Sequence, residues 1–176
     1  MRKYFDKFLN FINRIAPPQG EYSWFDKLRV SLGVGITILL IAAFNYLWGD
    51  MTTDENMVTA VFGVSVLCIF LFPESKYFSP LVLLEANLYA SCVAFICVFI
   101  FPTIYLGIPF ALLACVAGMN LLGCMHPPAA FLSIFIVMAG TASYDFALHP
   151  VLVDSFVLAI VSLANKKLIE RWGGKS

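Results

Sequence analysis

Apolar residues dominate this chain in six stretches, separated by short breaks rich in Pro, Gly and charge. The stretches are Val30 to Trp48, Met57 to Phe72, Leu81 to Phe101, Ile104 to Met125, Pro127 to Ala139 and Val151 to Leu168. A helix that crosses the hydrocarbon core needs about 20 apolar residues. The second and fifth stretches fall short of that and read as half-helices, re-entrant segments or short crossings. The pattern predicts an all-α membrane protein, a bundle of about six transmembrane segments.

A different pattern precedes the first stretch. Tyr4, Phe5, Phe8, Leu9, Phe11, Ile12 and Ile15 share one face of a helix, and Arg2, Lys3, Asp6, Lys7, Asn10, Asn13 and Arg14 share the other. Such a segment lies in the membrane interface rather than across it. Pro17-Pro18 ends it, and Trp24-Phe25 places aromatic rings at headgroup level. The expected organisation is an amphipathic N-terminal segment over 1–29, a transmembrane domain over 30–168 and a basic tail over 169–176.

Composition agrees with the membrane reading. Apolar residues make up 61% of the chain and charged residues 12%, where soluble domains carry about 25% charge. Eleven basic residues balance eleven acidic ones, so nothing points to nucleic acid. Their placement is informative. Basic residues cluster before position 30 and after 165, with Lys76 alone between. By the positive-inside rule, both termini and the Lys76 loop face the cytoplasm, and the acidic stretch Asp50 to Glu55 lies outside. That is the arrangement of a multi-pass membrane protein with both termini cytoplasmic. The five cysteines lie in apolar runs without a CxxC pair and read as small buried filler. No cofactor and no metal is implied.

The most distinctive break is His126-Pro127-Pro128-Ala129-Ala130. Two prolines remove two backbone donors and push His126 out of the helical region. The fourth helix must end there, and a fifth can start at Pro127. Irregular backbone at membrane depth is tolerated only inside protein or against a wet cavity. A helix N-terminus there suits an anion, with Ala129 N–H, Ala130 N–H and His126 as its ligands. A tight turn with His126 as its cap fits the same residues.

The short second and fifth stretches occupy matching places in the two halves, as do Ser79-Pro80 before Glu85 and His149-Pro150 before Asp154. Three crossings per half make these inverted repeats, whose junction is where transporters bind substrate. Further candidates for a polar cavity are Glu85 and Asn87, which should face the bundle, with Asn120 and Ser65. Asp154 reads either as a further cavity residue or, the favoured reading, as a solvated residue near the interface. Ala114 and Gly118 form a small-xxx-small pair suited to helix packing or to a homo-oligomer contact.

These blocks together resemble the HPP family of bacterial and plastid membrane proteins, named for a His-Pro-Pro motif. His126-Pro127-Pro128-Ala129 matches that motif. Leu28 to Gly35 is similar to the family's Gly-rich opening of the first span, and Phe62-Gly63-Val64-Ser65-Val66-Leu67 with Phe72-Pro73-Glu74-Ser75 to its second-span signature. Some family members are associated with nitrite transport. The resemblance therefore implies membrane transport of a small inorganic anion such as nitrite. A non-transporting scaffold fits the residues too. An enzyme is not expected, since no recognisable catalytic spacing accompanies His126. The expected partners are the lipid bilayer and a small anion.

Overall fold

The computed structural model describes residues 23–48, 53–140 and 144–172. The amphipathic segment read from residues 2–15 lies outside the described residues. Six principal helices follow one another: α1 (Trp24–Trp48), α2 (Thr53–Leu71), α3 (Pro80–Ile100), α4 (Ile104–Leu122), α5 (Pro127–Ala139) and α6 (Val153–Trp172). A 3-10 turn, Lys76–Phe78, joins α2 to α3, and a kinked segment, Ala147–Leu152, leads into α6. No strand occurs among the described residues.

Local chemistry explains where the helices begin. Ser23 starts α1: its hydroxyl accepts from Asp26 N–H at 3.1 Å and donates to the Asp26 carboxylate at 2.7 Å, a reciprocal cap. The first helix thus opens six residues before Val30 and takes in residues read as part of the N-terminal segment. In the same way α6 continues through Trp172, past the expected boundary at 168. Three later starts share another device. Ser79, His126 and His149 are all extended (ψ 150°, 97° and 124°) and all precede proline, as steric exclusion before proline requires.

The six helices divide into two halves of three, α1–α3 and α4–α6. Matching members meet at the centre, α2 against α5 and α3 against α6. Four elements are long and apolar enough to cross a membrane: α1, α3, α4 and the stretch Ala147–Trp172. The 13 residues of α5 reach only about 20 Å at about 1.5 Å per residue, against a hydrocarbon core of about 30 Å. This short helix packs against α2, α3 and α4, and Pro128, Ala129, Ala130, Leu132, Ser133, Ile136 and Val137 on it are buried. It ends at Gly140, whose φ of 64° is left-handed. The irregular backbone at its start is therefore packed in protein, as a membrane demands.

Large apolar side chains cover the outside. Leu39, Trp48, Phe99, Leu113, Leu121 and Ile160 are all exposed, which in water would be an aggregation liability and in lipid is the expected surface. Between α3 and α4, the small pair Ala114 and Gly118 seats Tyr89 of α3: its ring lies against Gly118, and its hydroxyl donates to Ala114 O at 3.2 Å. The pair thus serves packing of α3 on α4.

Candidate functional site

Gly123 closes α4 in a left-handed conformation (φ 73°) and turns the chain into Cys124-Met125-His126. This turn drives His126 into the bundle, where it is 0% exposed. Ser65 Oγ on α2 lies 3.0 Å from His126 Nε2, and Tyr77 O lies 3.2 Å from His126 Nδ1. A carbonyl can only accept, so Nδ1 carries the hydrogen and the Ser65 hydroxyl donates to Nε2. Phe78 closes the site with an edge-on ring contact at 5.5 Å. His126 therefore ties α2, the 3-10 turn and the α4–α5 break together, and both ring nitrogens are engaged.

One of the two amides expected to be free is not: Ala129 N–H donates to His126 O at 3.0 Å. Pro127 and Pro128 have no donor to offer. Pro128, Ala129 and Ala130 are buried, while Pro127 is exposed. The start of α5 is thus a turn packed in protein with Ala129 N–H already engaged, rather than an open anion cradle.

The remaining candidates separate. Asn87 is buried and its amide donates to Ser155 Oγ at 3.0 Å, joining α3 to α6. Glu85 is exposed on the outer face of α3, contrary to the expectation that it turns inward. Asp154 is 0% exposed, contrary to the expectation of a solvated position. One geometric fact explains both corrections. Glu85 follows its proline by five residues and Asp154 by four, and each residue turns a helix by about 100°. The parallel between the two positions held in sequence but not in facing.

Asn120 is exposed and borders a cavity of about 450 Å³ with Lys76, Tyr77, Ser79, Gly123 and Met125. Two of these residues neighbour the break directly, so the cavity reaches the outside of the turn whose inside His126 fills. Sequence reasoning used Lys76 only for orientation and passed over Tyr77. The signal was there: Lys76 is the one basic residue between positions 30 and 165. Among the described residues no group of three or more His, Cys, Asp or Glu could hold a metal ion.

A sequence profile described as "HPP, transmembrane region" matches residues 19–173. The chain belongs to the HPP family. No curated protein and no solved structure matches it. The HPP match runs from ahead of α1 to the last turn of α6, so it takes in the whole described bundle. Within the His-Pro-Pro motif, His126-Pro127-Pro128, the histidine is the buried latch between α2, the 3-10 turn and the break.

Proposed function

We propose that this HPP-family protein carries a small inorganic anion, nitrite being the leading candidate, across the bacterial inner membrane, with the Lys76 end towards the cytoplasm. The observation that supports this reading is the polar cavity beside the break. Its lining includes one cationic residue, Lys76, and three neutral residues able to donate hydrogen bonds, Asn120, Tyr77 and Ser79. A cation with several neutral donors is a suitable receptor for a small anion, and about 450 Å³ holds a three-atom anion with part of its water. In this reading the anion rests at the Lys76 cavity, and the His126 latch governs whether α2 and α5 part to let it deeper.

The protein acts as a carrier, not an enzyme, on this view. The Ser65–His126 pair resembles a nucleophile and base, but it is fully enclosed, and the second ring nitrogen faces a peptide carbonyl rather than an orienting carboxylate. The sealed packing of the break favours a second reading, a scaffold that transports nothing.

Uptake of nitrite into proteoliposomes decides between them. Transport predicts flux that weakens in Lys76→Gln and in Asn120→Ala and survives in Lys76→Arg. Absence of flux for nitrite, nitrate, chloride and formate in a folded preparation would remove the transport reading.

A further inference from the structure

The half of the bundle remote from Lys76 holds a second polar cluster. Asn45 on α1 is 2% exposed and His149 is 6% exposed. His149 Nε2 lies 3.0 Å from Asn45 Oδ1, and Asn45 Nδ2 donates to Thr59 Oγ1 on α2 at 3.0 Å. The indole of Trp48 stacks on the His149 ring at 4.9 Å. Asn45 also faces the carboxyl of Asp154. One of its two amide N–H groups goes to Thr59, the other is the nearest donor to Asp154, and neither Asp154 oxygen receives a hydrogen bond of full geometry among the described residues.

A buried ionised carboxylate without a partner costs several kcal/mol. Either a proton or a metal cation can remove that cost. A hard cation needs several oxygen ligands at once, and the side-chain oxygens of this cluster already take part in hydrogen bonds with which a cation would have to compete. Asn45 Oδ1 accepts from His149, Thr59 Oγ1 accepts from Asn45, and Ser155 Oγ accepts from Asn87 while donating to Val151 O at 2.7 Å. A proton needs none of them. The neighbours supply no counter-charge. The remote half of α1 and residues 57–71 of α2 contain no charged residue. On α3 Glu85 faces outward, and in the kinked segment the titratable group is His149.

We propose that Asp154 is a proton-binding site within the membrane domain, loaded in the closed bundle and emptied when α6 and α1 separate enough to admit water. On release the carboxyl O–H bond breaks, the proton passes to a water molecule, and the electron pair stays on the carboxylate, which that water then solvates. Site and loading stand without the transport reading; only the use of the released proton to drive an anion rests on it.

Infrared spectroscopy of the purified protein in nanodiscs tests the site directly. At neutral pH the wild-type spectrum should contain the C=O stretch of a protonated carboxylic acid, absent from Asp154→Asn. Asp154→Glu, which keeps the acid if the amide variant fails to fold, should retain a shifted band. A wild-type spectrum with no such band, or a band that sodium or potassium removes at constant pH, would overturn the proposal. In proteoliposomes nitrite entry should move protons in the wild type and not in Asp154→Asn. Loss of nitrite flux altogether with the infrared band intact would strike the transport reading and leave the proton site standing.

Discussion

Ser65 and His126, 61 positions apart, share a buried hydrogen bond of 3.0 Å between Oγ and Nε2. It is the point at which α2 is fastened to the start of the short helix α5. Ser65→Ala leaves the ring nitrogen enclosed and unpaired, which costs about 1–3 kcal/mol. Thermal unfolding in detergent should show this as a lowered Tm. A Tm within error of the wild type would mean that the latch is not under load.

Tyr89 and Gly118 form a tighter relationship, because a Cβ at 118 would run into the tyrosine ring. Gly118→Ala should therefore force α3 and α4 apart and lose about 1–3 kcal/mol, as overpacking does. Tyr89→Phe removes only the bond to Ala114 O and should lose about 0.5–1.5 kcal/mol. The order of the two effects in a denaturation series is the check. A larger loss in Tyr89→Phe would contradict the packing account.

Arg29 is 7% exposed and holds the end of α2. One Nη donates to Phe70 O at 3.0 Å and to Asn165 Oδ1 at 2.8 Å, and Asn165 donates in turn to Ile69 O at 3.0 Å. A cation at a helix C-terminus also suits the helix dipole. Arg29→Ala should cost about 1.5–3 kcal/mol, the scale of a hydrogen bond to a charged group. Arg29→Lys, with a point charge in place of a fork, should recover only part of that loss in the same melt.

The direction of the bundle can be read from two exposed positions at its opposite ends, Lys76 and Thr103. In a background with the five native cysteines replaced by alanine, Lys76→Cys should react with a membrane-impermeant thiol reagent only from the cytoplasmic side. Thr103→Cys should react only from outside. The reverse pattern would invert the proposed orientation.

Helix breaks were legible because proline and glycine act locally. Pro73, Pro80, Pro102 and Pro127 mark ends or starts, although Pro109 sits inside α4 without ending it, and the family blocks around Ser65 and His126 lie in plain order along the chain. The facing of single residues was not legible. Glu85 and Asp154 hold similar places after a proline, yet one residue of offset puts them on different faces. Nor could local reading show that Ala129 N–H is spent on His126 O, because the number of donors left at a helix start depends on how tightly its first turn closes.

The sequence by itself determined the membrane class, the short second and fifth segments and the break at His126-Pro127-Pro128. Hydropathy is a sum over residues, and proline acts through the backbone on either side of it. Only the tertiary structure decided what the break does and where the polar groups gather. Ser65 meets His126, and Asn45 meets His149 and Asp154, across 61 and more than 100 positions of chain. Such meetings depend on the rotation and depth of each helix against its neighbours, which no local pattern encodes.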